Sequence, residues 1–161
     1  MLKSTIRDVR SLFTDQRVLS LALTLPPDGA AYAGLLPFIM DTGRVAFLVR
    51  ASKLARHSRG LTADARVCVL LHESDDETKD PLQLKRVTFE CTVEPLVPEA
   101  PESNAARERY LARFPSAELT LGLSDFRIYR LVPQTGMYVA GFGRAIALPP
   151  EDIGRLLAAD P

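Results

Sequence analysis

Between Arg17 and Leu25 the chain alternates without interruption: Leu19, Leu21, Leu23 and Leu25 fall on one side, Val18, Ser20, Ala22 and Thr24 on the other. A period of two is what a β-strand with one buried face requires, because successive side chains leave a pleated strand in opposite directions. Pro26-Pro27-Asp28-Gly29 follows and reads as a turn, since proline presets φ and glycine accepts a positive one. Residues 31–40 then read as the return strand of a hairpin. Pro37 within it marks a bulge or an edge, because proline has no N–H to give to a ladder. Asp41-Thr42-Gly43 reads as a second tight turn, and 44–50 as a third strand, apolar through its centre.

The strand signal continues downstream. Residues 66–72 are apolar on both faces, as in a buried central strand, and 86–94 alternate cleanly. Residues 126–132 and 135–140 read as two further strands joined at Pro133-Gln134. Helical spacing occurs in four places. Over 5–13 it groups Ile6, Val9, Leu12 and Phe13 behind a Ser4 or Thr5 cap. Over 52–61 it groups Leu54, Ala55, Ser58 and Leu61, with Gly60 as a stop signal. Over 104–114 it groups Ala105, Tyr110, Leu111 and Phe114, and over 149–159 it turns Ile153, Leu156 and Leu157 inward. The segment 73–80 carries five acids against one lysine and reads as a solvated loop, and 95–102 is a proline-rich connector. About seven strands in short hairpin steps, with three or four flanking helices, specify a mainly β fold. The expected architecture is an antiparallel sheet of six to seven strands closed into a barrel, in one domain over residues 1–161.

Charge narrows the function. Twenty Lys and Arg balance twenty Asp and Glu. A neutral chain lacks the phosphate-neutralising surplus on which nucleic-acid binding depends. The longest apolar run, 33–40, is far short of the roughly 20 residues that span a bilayer. Lys3, Arg7, Asp8 and Arg10 interrupt any leader-like apolar core, so a cytoplasmic protein is expected. Two cysteines, Cys68 and Cys91, are too few for a disulfide framework or a four-ligand zinc site, and both read as strand packing groups. The acids at 73–80 lack the glycine and ligand rhythm of a calcium loop, so no metal is expected. His72 reads as a pairing or capping residue, Tyr129 and Tyr138 as core or interface, and Arg107, Arg109 and Arg113 as solvated or paired with Glu102 and Glu108.

The charge is nevertheless uneven. Residues 50–66 hold five cations, Arg50, Lys53, Arg56, Arg59 and Arg66, against Asp64 alone. They fall where a strand is expected to hand over to a helix, whose unpaired N–H groups already favour an anion. Ser52, Lys53 and Arg50 add the donors a phosphate monoester needs, and His57 lies one turn on. The alternative reading is an N-cap serine followed by a solvated basic helix face. No glycine-rich phosphate loop or Rossmann fingerprint is present.

The run Phe47-Leu-Val-Arg50-Ala-Ser52-Lys-Leu-Ala-Arg-His57-Ser-Arg-Gly-Leu61, with Asp64-Ala-Arg-Val and a strand after it, resembles the FMN-binding split-barrel proteins related to pyridoxamine 5′-phosphate oxidase. It resembles especially their haem-utilisation branch, whose signature reads Ser-x-Leu-Ala-x-His-Thr-x-Asn-Leu. Arg86-Val-Thr-Phe-Glu90, Phe126-Arg-Ile-Tyr-Arg-Leu-Val-Pro133 and Gly141-Phe-Gly-Arg-Ala145 match further markers in the same order. The resemblance implies a six-stranded split barrel that works as a homodimer with FMN in a groove between subunits. Carried over, Arg50 and Ser52 would meet the FMN phosphate, Lys53, His57, Ser58 and Arg59 would complete that pocket, and Arg86 would lie near the phosphate or ribityl chain. Phe142 and Arg144 would approach the flavin ring or the dimer seam.

Ser58 stands where the signature has Thr, and Gly60 where it has Asn. The Arg-x-His element that holds substrate phosphate in true pyridoxamine phosphate oxidases is absent near the C-terminus, which disfavours vitamin B6 oxidation. The only histidines are His57 and His72, so haem degradation draws little support. The reading is therefore an FMN flavoprotein, an oxidoreductase acting on an unidentified small molecule or electron donor, with no catalytic residue assigned. Two alternatives stand beside it: a non-catalytic flavin- or haem-binding protein for utilisation, storage or sensing, and a structural dimer without cofactor.

Overall fold

The computed structural model describes residues 3–41 and 44–158. Seven strands, β1 (Val18–Leu25), β2 (Ala30–Met40), β3 (Phe47–Ser52), β4 (Arg66–His72), β5 (Arg86–Pro95), β6 (Phe126–Val139) and β7 (Ala145–Leu148), make one antiparallel sheet in the order β3-β2-β1-β4-β5-β6-β7. Pairing of β3 with β6, from Phe47↔Leu131 to Ser52↔Phe126, closes six strands into a barrel and leaves β7 hung on β6. The expected barrel is present. The leucine alternation of β1 does what its period requires: Leu19, Leu21, Leu23 and Leu25 are all buried, each contributing roughly 1.5–3 kcal/mol of apolar burial. Helix α1 (Lys3–Asp15) plugs the barrel, with Phe13 set 5.8 Å from Phe47, whose ring lies 5.5 Å from that of Phe89.

Pro37 marks a change of partner. β2 pairs with β1 from Ala30 to Pro37 and with β3 only from Phe38 to Met40. Before Phe38 the far edge of β2 is open, and that opening is the split in the barrel. Helix α2 (Pro101–Arg113) covers the outside of β2 and β3 near their junction, where Ala106, Tyr110 and Phe114 pack on Ile39 and Leu48. Helices α3 (Glu118–Leu121) and α4 (Pro150–Ala158) complete the chain.

Several expectations require correction. The two strands expected over 126–132 and 135–140 are one, Phe126–Val139: Cys91 opposes Pro133 and Glu90 opposes Thr135, so Gln134 is the extra residue of a bulge. Proline cannot donate to the ladder, and the bulge absorbs that gap without ending the strand. The third strand starts at Phe47 and runs to Ser52, later than 44–50. β4 is buried on one face only, with Cys68 and Leu70 half exposed. Strand β7 and the short helix α3 had no readable signal. Arg109 pairs with Asp41 at 3.2 Å, and Arg113 reaches the carbonyls of Thr14 and Gln16, in place of the expected glutamates. The turn expected at Asp41-Thr42-Gly43 and the terminal Ala159 reach outside the described residues.

Candidate functional site

The expected helix over 52–61 is a five-residue 3-10 turn, Arg56–Gly60, reached through a turn in which Leu54 is 88% exposed, not packed. Tight bonds from Ser58 N–H to Ala55 O and from Leu61 N–H to Ser58 O define it. So short a segment provides no helix-terminal anion seat of the kind the sequence pattern predicts.

The corner is instead clamped to the segment before β6. Arg50 is buried, with its guanidinium carbon 3.8 Å from the Phe126 ring centroid. It donates to Thr120 Oγ1 at 2.9 Å and to the Thr120 carbonyl, and burial pushes its pKa below the ordinary value. Ser52 Oγ donates to Asp125 Oδ2 at 2.5 Å, and the Lys53 N–H donates to Asp125 O at 2.7 Å. Ser58 Oγ donates back to Ser52 O at 2.6 Å. Three of the donors assigned to a phosphate are thus engaged within the chain. A dianion at Ser52 would face the Asp125 carboxylate.

The solvent-facing cations of the corner are Lys53, Arg56 and Arg59. Arg56 lies 5.3 Å from the Tyr32 ring centroid, and Arg59 Nη2 donates to Pro26 O at 3.1 Å. His57 sits over Gly34, where an added Cβ would stand 3.5 Å from Nδ1. Its Nε2 is buried with no hydrogen-bond partner among the described residues, and burial lowers its pKa, favouring the neutral ring. Arg50 and Phe126 line two surface cavities that Ser52, Lys53, His57, Ser58 and Arg59 do not reach.

The remaining candidates lie at the opposite end of β6. Arg50 opposes Ile128, whereas Arg86 opposes Val139, eleven residues further and roughly 35 Å along the strand. Arg86 donates to the carbonyls of Leu84 and Leu82 at 3.2 and 3.4 Å. Phe142, 79% exposed, tops the β6–β7 connection beside exposed Arg144. His72 opposes Arg86 across β4 and β5. Its Nδ1 lies 2.7 Å from Glu73 O, and because a carbonyl only accepts, Nδ1 donates that bond and Nε2 is left outward. The candidate residues of one chain therefore fall into two separate groups, one at each end of β6. Between them runs the outer face of β2, β1, β4, β5 and β6, bearing exposed Ala33, Leu35, Ala22 and Met137. Thr120 and Asp125, which hold the corner, were not readable beforehand, because their partners lie about 70 residues away.

Residues 6–140 match the pyridoxamine 5′-phosphate oxidase family. The chain belongs to that family. Within it, the chain resembles the haem-utilisation proteins: it is 27% identical over 149 residues to the heme oxygenase HutZ of Vibrio cholerae, covering 91% of this chain and 82% of that protein. A heme binding protein from Mycobacterium smegmatis superposes with a TM-score of 0.81 at 28% identity over 96% of this chain, which spans 62% of the mycobacterial one. The crystal structure of HutZ, named there as the heme storage protein of Vibrio cholerae, shares the fold with a TM-score of 0.71 at 23% identity, over 79% of this chain and 88% of that one. Among the described residues of this family member, no helix is long and apolar enough to cross a membrane, and no three His, Cys, Asp or Glu residues are grouped to hold a metal ion.

Proposed function

We propose that two copies of this chain bind haem between their uncovered sheet faces, in the service of haem utilisation or storage. The likeness to HutZ and to the mycobacterial heme binding protein supports haem over FMN. Within the structure, His72 carries the reading: an exposed imidazole with Nδ1–H tied to a backbone carbonyl presents Nε2 as a metal ligand does. His57, whose Nε2 is buried, does not. Bound haem would supply iron open to ligation by a neutral imidazole. The protein's part is to orient that ring, present cations to the propionates and shield the porphyrin faces. A face-to-face homodimer accounts for the separation of the two groups, since a two-fold axis can set the Lys53 end of one chain beside the Phe142 end of its partner.

FMN is the second reading, favoured by the solvent-facing Lys53, Arg56 and Arg59 but not by the engaged Arg50, Ser52 and Ser58. Haemin titration of the pure protein separates the two. A saturating Soret band, abolished in His72→Ala and kept in His57→Ala, is the expected result. No band, or the same band in His72→Ala, overturns the haem-ligand assignment. A yellow protein that releases one FMN per chain on denaturation, and loses it in Lys53→Glu/Arg59→Glu, establishes the second reading.

A further inference from the structure

Away from both groups, a groove of about 860 Å³ lies among α1, α2, the end of β2 and α4. Its floor is apolar: Ile6, Phe13, Ile39, Met40 and Leu156. Its rim is cationic: Lys3, Arg7, Arg10, Arg109 and Arg113, with no Asp or Glu among the described lining residues. Among the described residues, only Arg109 of these meets a carboxylate, at Asp41. Arg10 and Arg113 bond backbone carbonyls at the ends of α4 and α1, which orients them without neutralising their charge. The Nε of Arg113 is buried with no partner among the described residues. Lys3 and Arg7 are exposed one helical turn apart and make no hydrogen bond or ion pair with described residues. The two hydroxyls of the lining are spent inside α1, Ser11 on Asp8 O and Thr14 on its neighbours.

An apolar trough under unneutralised cations demands a ligand with a hydrocarbon body and an acidic head. Among the described lining residues there is no His, Cys or Tyr and Met40 is the one sulfur, so the groove is not made for an iron centre. We propose that the groove binds a free fatty-acid-like carboxylate, its chain on the Ile6–Phe13–Ile39 floor and its head among Lys3, Arg7 and Arg10. This site is independent of the haem reading, and each can fail without the other.

The test uses 11-(dansylamino)undecanoate on the full chain, displaced by decanoate. Expected are one saturable site, displacement by decanoate but not by 1-decanol, and affinity that falls with added salt. Lys3→Glu/Arg7→Glu should weaken the probe about tenfold and Lys3→Gln/Arg7→Gln about threefold, as rim charges of a half-open groove do. Both side chains are exposed, and circular dichroism is the check that the variants fold. Arg66→Glu, at a different apolar hollow beside Cys68, should change nothing, and haemin binding by Lys3→Glu/Arg7→Glu should match the parent. No saturable binding overturns the proposal, as does equal affinity in Lys3→Glu/Arg7→Glu or equal displacement by 1-decanol. Affinity for anionic phospholipid vesicles with none for decanoate overturns it as well.

Discussion

Gly60 is where this chain departs from the haem-utilisation signature, which has Asn, and the packing explains the departure. A Cβ at this position would stand 2.6 Å from Thr24 O and 2.7 Å from Leu23 Cδ1. The leucine methyl can rotate away, but the carbonyl belongs to the backbone of β1 and cannot. Forcing a methyl into such a contact costs about 1–3 kcal/mol, against which the stiffer unfolded chain returns about 0.4–1 kcal/mol. The net loss for Gly60→Ala is therefore about 1–2 kcal/mol. For a chain of this length that lowers the midpoint by about 2–8 °C. Gly60→Asn, which restores the signature residue, should melt lower still, because its amide needs room the site lacks. Gly154 is the internal control. It lies in α4 with nothing within 4 Å of an added Cβ, so Gly154→Ala should gain about 0.5–1 kcal/mol. Thermal unfolding followed by circular dichroism measures all three variants. If Gly60→Ala melts no lower than the parent while Gly154→Ala rises, the 3-10 turn does not press on β1 and the account of Gly60 is wrong.

Two further predictions concern stability and assembly. Burial alone would raise the Asp8 pKa, but hydrogen bonds from Lys85 and Tyr138 outweigh it and hold the carboxyl below its usual value; this stabilisation is complete above the unfolded-state pKa and disappears as pH falls through the lowered one. Urea midpoints measured from about pH 6 down to about pH 2 should fall less steeply at the acid end in Asp8→Asn, and identical slopes would remove Asp8 from the acid response. On the exposed outer face proposed to pair with a second copy, Leu35→Glu with Met137→Glu should give a monomer in sedimentation without loss of fold, because two buried like-charged rows cannot face each other; a variant that sediments as the parent does would overturn that pairing.

The barrel was readable because its signals are local and periodic. Leu19 to Leu25 and the alternation of 86–94 each name a strand and its buried face, and Pro26 to Gly29 names the hairpin between two of them. Where the fold was misjudged, a local rule met a longer-range one. Pro133 reads as a break, yet ladders on both sides of it keep β6 continuous through a bulge. The 52–61 stretch has helical spacing, but β3 extends through Ser52 in its ladder with Phe126, and the bonds Leu54 N–H to Ser52 Oγ and Ser58 Oγ to Ser52 O fold the next residues into a tight turn, so only Arg56–Gly60 coils, as a 3-10 segment. Strand β7 is four residues long and one turn from β6, below the length at which alternation stands out.

The site was legible as a concentration of charge but not as a geometry. Composition cannot say which donors another part of the chain will claim. Ser52 and Ser58 look like phosphate hydroxyls in sequence, and in the fold one holds Asp125 while the other closes the turn back onto Ser52. Arg50 follows the same logic more strongly: burial makes an unsatisfied guanidinium costly, so Thr120 and the Phe126 face are recruited to it. A basic residue on a strand that enters the core is thus a structural tie first and a ligand contact only where a partner is lacking. The same reasoning points outward, to cations that burial never reached. Lys53 beside the corner, and Lys3 and Arg7 above the α1 groove, are cheap to leave in water and keep their charge available. In this chain the side chains that no internal partner claims are the ones on which recognition can be built.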